Sequence, residues 1–304
     1  MLRNPLPNNF DNKKDLIFQI IDWKSYDNYE EIEKDGEEDE NEEQELDQKK
    51  IKKERKLIIR GYGVTENGNS ICLHIKDFLP YFFFKIPEDW TDVEFNYFKI
   101  EFLKLIDWNM KDALVKSGII KKKEFYGFTN NELFNYGIFV LKNQSAYYSF
   151  LKTIKEKIVF IKNLNKEFKF SNKLYETKVS SLLRFFHVKN VDPSGWSKIN
   201  ANKFIINRPS LSRSQIDVTI NYNDIEKVDK NDVSKIIVAS FDIECCSDDG
   251  TFPKYERMND PIIQIGTTVY FFGNNECQYK YISTLGKCAP IEDDLVEVES
   301  FDTE

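Results

Sequence analysis

Between Leu57 and Ile86 three strand-length apolar runs follow one another with only short polar stretches between them. Leu57–Val64 is the first. It is followed by Glu66-Asn67-Gly68-Asn69, an Asn-Gly turn of the kind that closes two-residue hairpins. Ser70–Lys76 then alternates apolar and polar, which puts Ile71, Leu73 and Ile75 on one face. Pro80–Ile86 is the third run. It is aromatic, and Pro87 stops it. Together these runs read as an antiparallel meander. The block Tyr81-Phe82-Phe83-Phe84 is chemically able to stack bases, but its place between strand neighbours reads as core.

Other elements flank this meander. Leu16–Trp23 reads as a buried strand. Residues 91–106 have helical spacing, with Val93, Tyr97, Ile100, Leu103 and Ile106 as the apolar stripe. Phe125–Phe128 and Tyr136–Leu141 read as short strands. Ser145–Ile158 reads as a helix capped by Ser145. Leu174–His187 reads as another helix, with Val179, Leu182, Leu183 and Phe186 facing inward and Arg184 structurally paired. The stretch 200–232 is rich in Asn, Ser and Asp and reads as a connection between domains, with a polar strand at Ser214–Ile220. From 233 the character changes. Ile236–Glu244 and Pro261–Phe272 are apolar strands around the polar loop Ser247–Asp260, and Glu276–Thr284 is a third. Residues 289–304 are acidic and lack a core face.

The net charge of -8 is unevenly spread. Residues 30–47 carry twelve acids and one lysine, and Lys49–Lys56 carries six bases and one acid. These two blocks account for -6, so the remainder is near neutral and the charge names no partner. With so few apolar residues, 30–56 cannot offset the entropy of ordering, and it reads as a disordered or partly helical surface insertion. No apolar run approaches the roughly 20 residues that span a bilayer, and the N-terminus lacks a signal-peptide core. The five cysteines (72, 245, 246, 277, 288) cannot all pair and show no CxxC spacing, so they read as reduced thiols. His74 and His187 are the only histidines, which makes histidine-based metal sites and Ser-His-Asp triads poor readings. Gly61-Tyr62-Gly63 precedes no helix and so is not a phosphate loop. Lys121-Lys122-Lys123 suits either a phosphate backbone or a solvated turn.

One pair of residues carries chemistry. Asp242 and Glu244 are two apart on an apolar strand, so they share a face with Cα atoms about 6.6 Å apart. Phe241 and Ile243 point the other way, toward a core. Two carboxylates at one spot favour a divalent cation with hard oxygen preferences, Mg²⁺ or Mn²⁺. A two-cation site is the usual device for phosphodiester hydrolysis. Asp248 and Asp249 read instead as loop acids that hold a turn.

The wider context narrows this reading. SFDIEC (240–245), GTFP (250–253) and DPIIQIGTTVYFFG (260–273) resemble the first exonuclease motif of family B DNA polymerases, most of all the delta-type enzymes, including those of large DNA viruses. RGYGVTENGNSICLHIKDFLPYFFFKIP (60–87), FYGFTNN (125–131), LYETKVSSLLRFFH (174–187) and SGW (194–196) resemble that family's N-terminal domain. The likeness covers nearly the whole chain except 30–56. It implies a mixed α/β fold: an N-terminal domain containing antiparallel sheet, then the first strands of a ribonuclease-H-like 3′–5′ exonuclease domain. By domain, 1–29 supplies the first strand, 30–56 the low-complexity insertion, 57–220 the N-terminal domain, 221–232 a linker and 233–304 an incomplete exonuclease domain.

From the resemblance, Asp242 and Glu244 carry over as metal ligands of the proofreading site, with Mg²⁺ or Mn²⁺ as cofactor. The family's later acidic motifs and its palm, fingers and thumb are not found before Glu304. The expected parent is a DNA-directed DNA polymerase that acts in replication within the nucleus or a viral replication compartment. It would take DNA primer-template, a single-stranded 3′ end and deoxynucleoside triphosphates, with a sliding clamp as a further partner. The 304-residue chain alone is expected to be inactive. The alternatives are a free-standing metal-dependent 3′–5′ exonuclease and a non-catalytic nucleic-acid-binding module.

Overall fold

The computed structural model describes residues 4–6, 10–33, 51–124, 127–171, 173–274, 276–293 and 295–303. Its elements begin with β1 (Leu16–Glu33), β2 (Ile51–Thr65), β3 (Ser70–Lys76), β4 (Tyr81–Lys85) and α1 (Asp92–Lys104). Next come β5 (Leu114–Lys123), β6 (Leu133–Leu141), α2 (Gln144–Glu156), β7 (Val159–Ile161), β8 (Lys166–Phe168), β9 (Leu174–Tyr175) and α3 (Ser181–Lys189). Then follow β10 (Gly195–Ile199), β11 (Phe204–Ile206), β12 (Ile216–Asn221) and β13 (Ile225–Lys227). The last four strands are β14 (Ile237–Cys245), β15 (Ile262–Phe271), β16 (Tyr279–Leu285) and β17 (Val296–Phe301). The chain forms two compact units: Asn9–Gly63 with Ser70–Lys230, and Asn231–Glu304 with Met1–Asn8 and Val64–Asn69.

The first unit holds a seven-stranded sheet of order β11-β12-β3-β2-β1-β10-β13. The Asn-Gly turn closes β2 onto β3 as its sequence dictates. Thr65 and Asn69 bond across it, and Gly68 takes φ +86°, which a side chain disfavours. Gly63 also has a structural reason. A Cβ there would lie 2.4 Å from the Gln19 carbonyl, so only glycine lets β1 and β2 approach. The meander reading holds only in part. On its other side β3 pairs with β12, in parallel. It is buried on both faces from Ile71 to Ile75, so its alternation does not mark a wet side. β4 leaves this sheet altogether.

β4 lies in a four-stranded sheet, β5-β6-β4-β9. Against it packs an aromatic core that includes Phe82, Phe84, Phe98, Phe102, Phe139 and Phe150. The expected aromatic core at Tyr81–Phe84 is therefore correct for Phe82, Phe83 and Phe84, all buried, with Tyr81 half-buried. The face α1 turns inward overlaps the expected one only in part: Tyr97 and Leu103 pack against the core and Ile106, just past the helix, is buried. Phe95, Phe98 and Phe102 are buried, while Val93 and Ile100 are about half exposed. Three phenyl rings offer more area than the aliphatic stripe, and that area decides the rotation of the helix. Its start is fixed by a capping box between Thr91 and Glu94.

Several boundaries shift for local reasons. The cap of α2 is Asn143, whose side chain accepts from the Ala146 amide at 2.8 Å, and Ser145 instead bonds Asp27. The 174–187 helix is shorter than expected. Leu174–Tyr175 is β9, and α3 begins after the Ser180 cap. Its buried residues are Arg184 and Phe185 rather than the aliphatic set, with Leu183 46% exposed. Strand β5, absent from the sequence reading, covers Leu114–Lys123. Gly127 and Phe128 lie outside any strand, and Phe125 and Tyr126 lie outside the described residues.

The stretch 200–232 is not a connection. It supplies β11, β12 and β13 to the seven-stranded sheet, and Ile216, Val218 and Ile220 are buried there. The 221–232 linker likewise contains β13, which pairs with β10. The low-complexity insertion is narrower than 30–56. β1 runs on through Glu33 and β2 starts at Ile51, while 34–50 lie outside the described residues.

The second unit is a four-stranded sheet of order β14-β15-β16-β17. The first three strands are antiparallel neighbours, and β17 runs parallel to β16. The acidic stretch 289–304 supplies the strand Val296–Phe301, and five of its six residues are exposed, in keeping with the lack of a core face. No helix of the described residues is long and apolar enough to cross a membrane.

Candidate functional site

β14 carries Asp242 and Glu244 opposite Gly266 and Gln264 of β15. Both acids are exposed. Asp242 Oδ1 accepts a hydrogen bond from the Ile243 amide at 3.0 Å, and neither carboxylate is engaged by a lysine or arginine among the described residues. The pairing register shifts between Glu244 and Cys245, an irregularity of the kind that re-aims side chains at strand ends. The expectation for the opposite face fails. Phe241 is 73% and Ile243 45% exposed, because no helix lies among the described residues of this unit to cover them.

Beyond the strand end, the loop 246–261 is tied together by Asp249. Its carboxylate accepts from Ser247 Oγ at 2.8 Å, from the Thr251 amide and hydroxyl at 3.0 and 2.6 Å, and from Arg257 at 2.9 Å. Hydrogen bonds from Thr251, then Ser247 and Arg257, hold this carboxyl well below the usual range. Arg257 also pairs with Asp260 at 3.5 Å, and Asp260 accepts from the Lys254 amide at 2.8 Å. Asp249 therefore shapes the loop, as its place beside Gly250 suggested. The loop and the strand end enclose a cleft of about 610 Å³ whose lining includes Glu244, Phe252, Tyr255, Arg257, Met258 and Asp260. Phe252, Tyr255 and Met258 are each at least 87% exposed. The sequence reading passed over these three. Large apolar residues in an otherwise polar loop were the available signal.

The remaining sequence candidates are structural. Lys122 lies 3.7 Å from the centroid of the Phe83 ring and pairs with Glu176 at 3.2 Å. Arg184, as expected, is buried and paired, with Glu176 at 2.6 Å and the Tyr81 ring at 4.1 Å. All five cysteines are free.

An apolar strand that sets two carboxylates on one face beside a cleft has the form of a hard-cation site. Residues 172–304 match the family described as DNA polymerase family B, exonuclease domain. The DNA polymerase of Acanthamoeba polyphaga mimivirus is 31% identical over 299 residues, covering 94% of this chain and 16% of the viral protein. The DNA polymerase delta catalytic subunit of Schizosaccharomyces pombe is 30% identical over 242 residues, 77% of this chain and 21% of that subunit. The fold is similar to that of the family B DNA polymerase of the archaeon Pyrobaculum calidifontis. The TM-score is 0.53 at 14% identity, over 83% of this chain and 25% of that one. The chain belongs to the family B DNA polymerases. Its sequence relatives are of the viral and delta types, and it spans about a fifth of their length.

Proposed function

We propose that Asp242 and Glu244 are metal ligands of a 3′–5′ proofreading exonuclease within a family B replicative DNA polymerase. What carries the reading is the pair itself: two exposed carboxylates, one strand face, no cationic partner among the described residues, beside a cleft at the strand end. The donor set fits Mg²⁺ or Mn²⁺, since it offers only hard oxygens with free lone pairs. When bound, a pair of such cations supplies water activation and stabilisation of the leaving 3′ oxygen.

The chain's own residues have separate tasks. Strand β14 holds the two carboxylates in a fixed spacing, and its pairing with β15 keeps them from collapsing together. Exposed Phe252 and Tyr255 offer ring faces on which a frayed 3′ base can stack. Arg257 is already committed to Asp249 and Asp260, so its role is to shape the cleft rather than to grip phosphate.

On this reading the substrate is the single-stranded 3′ end of a DNA primer. Polymerisation, with its deoxynucleoside triphosphates and a sliding clamp, belongs to the larger parent enzyme, working where nuclear or viral DNA is replicated. On this reading the unit of Asn9–Gly63 with Ser70–Lys230 is the N-terminal domain, and the stretch from Asn231 opens the exonuclease domain. A Mn²⁺ titration of the 304-residue chain followed by electron paramagnetic resonance tests the ligand assignment. Weak binding that vanishes in the variant carrying Asp242→Ala and Glu244→Ala is expected. Binding unchanged in that variant would remove the pair from the site.

A further inference from the structure

Strand β3 is buried on both faces, and its second face carries polar chemistry. On that face Cys72 and His74 stand two residues apart. The parallel pairing with β12 sets Asp217 directly across from Cys72. All three are buried, at 0%, 4% and 3% exposure. Asp217 Oδ1 lies 3.0 Å from His74 Nε2, and Cys72 Sγ lies 3.5 Å from the same nitrogen. The three donor atoms fall within 4.8 Å of one another.

Two further observations point to a ligand. Among the described residues the second oxygen of the Asp217 carboxylate, Oδ2, is buried and has no hydrogen-bond partner of good geometry, the Ser212 hydroxyl being a polar group near this carboxylate. An anionic oxygen left in that state is costly, and a cation removes the cost. The distances are also those of neighbouring ligands on one metal. Bond lengths of about 2.3 Å to sulfur and about 2.0 Å to nitrogen and oxygen put S and N about 3.5 Å apart on a tetrahedron, and N and O about 3.3 Å. The observed 3.5 Å between sulfur and nitrogen matches the first, and the 3.0 Å between nitrogen and oxygen, also a hydrogen-bond distance, is about 0.3 Å inside the second.

A Cys-His-Asp nucleophilic triad fits less well. A triad uses the two ring nitrogens separately, one toward the thiol and one toward the acid. Here thiol and carboxylate address the same nitrogen. Burial also pushes the Cys72 thiol up to about 11, the opposite of an activated nucleophile.

We propose that Cys72, His74 and Asp217 form a structural site for a zinc-type divalent cation. A thiolate, an imidazole and a carboxylate suit Zn²⁺ rather than Mg²⁺. The thiol gives up its proton to solvent when the cation binds. One thiolate and one carboxylate then balance the dication, which leaves the buried cluster neutral. Ser212, which lies beside both Cys72 and Asp217, or a water completes the fourth position. The carboxylate is already oriented from behind. Asn207 Nδ2 donates to Asp217 Oδ1 at 2.5 Å, and Thr219 in turn donates to Asn207 at 2.9 Å. Such outer contacts are what fixes a metal-binding side chain in place. Besides Asp217, the charged neighbours are Arg60 for Cys72 and Arg60 with Lys76 for His74, and the positive field of Arg60 favours the thiolate. The cation would clamp β3 to β12, two strands distant in sequence.

The test uses the 304-residue chain and Co²⁺ as a spectroscopic stand-in for Zn²⁺. One equivalent should produce a thiolate-to-cobalt charge-transfer band with the intense visible bands of a tetrahedral ion, and Zn²⁺ should bleach both. Cys72→Ser should abolish the charge-transfer band and weaken Zn²⁺ binding more than about 100-fold in competition with a chromogenic chelator. The variant with Asp242→Ala and Glu244→Ala should keep the full spectrum, which separates this site from the proposed exonuclease ligands. Circular dichroism shows whether each variant folds. If Cys72→Ser does not, Asp217→Asn, which keeps the shape of the side chain, must show the same loss of affinity. Absence of a charge-transfer band in the folded wild-type chain would overturn the proposal. So would a band that persists in folded Cys72→Ser, since it would then arise from the other four thiols.

Discussion

Gly137 faces Phe84 across the β4–β6 pair, and a Cβ placed there would lie 2.3 Å from Cζ and 2.5 Å from Cε2 of that ring. This is more than an ångström inside the optimum of about 3.5–4.0 Å for carbon contacts. The ring has nowhere to go. It is fully buried, with ring centroids of Phe139 at 5.0 Å, Phe170 at 5.3 Å and Phe98 at 5.5 Å. Gly137→Ala should therefore act as overpacking, which costs about 1–3 kcal/mol. The better backbone entropy of alanine in a strand returns about 0.5–1 kcal/mol. The net expectation is a loss of about 1–2 kcal/mol, or a fall in Tm of roughly 2–8 °C for a unit of this size. Thermal and urea unfolding followed by circular dichroism measures it. A double-mutant cycle with Phe84→Leu isolates the cause, because the smaller side chain makes room for the new methyl. The double variant should be more stable than the sum of its parts. A Gly137→Ala protein as stable as the parent, or more so, would refute the argument that this glycine exists to admit the ring.

Three further outcomes follow from local structure. Thr91→Ala breaks the capping box of α1 and should cost about 1 kcal/mol in urea unfolding. Asp249→Ala removes the acceptor shared by Ser247, Thr251 and Arg257, so limited proteolysis should cut within 246–261 sooner than in the parent. The pH sense of that tie is fixed by a folded carboxyl held below its unfolded value of about 3.9. Protection of the loop should be complete above pH about 4, decline only as the pH falls below that, and lose its pH dependence in Asp249→Ala. Purified 1–304 should show no robust EDTA-sensitive 3′ exonuclease activity. Strong activity would favour a free-standing nuclease over the polymerase reading.

How much of this was legible in the sequence differs between the units. The β2–β3 turn was, because Asn67-Gly68 admits few other conformations. β14 and β15 were, because their apolar runs end in Asp, Glu and Gly signals. The partner of β3 was not. β12 lies 140 residues further on and pairs in parallel, a relation that no local pattern encodes. Polar Asn, Ser and Asp around it looked like a connection, yet several of those side chains bond inside the sheet, as Asn207 and Asp217 do. For the same reason the Cys72–His74–Asp217 cluster was invisible. His74 read alone is a lone histidine, and only the β3–β12 register brings it an acid. At the proposed exonuclease site the reverse held: i and i+2 spacing placed Asp242 and Glu244 together, while the exposure of Phe241 and Ile243 depends on what else packs on the sheet.

The central claim is that Asp242 and Glu244 hold the metals of proofreading and do nothing for synthesis. The direct measurement is made on a family B polymerase that contains this chain. Excision of a mismatched 3′ nucleotide is timed beside extension of a matched primer, for the parent and for Asp242→Ala with Glu244→Ala. Both side chains are exposed, so the fold should tolerate their loss. Excision should fall by more than the roughly 100-fold that changes around a metal ligand cost, with extension nearly unchanged. Undiminished excision, or equal loss of both activities, would contradict the account.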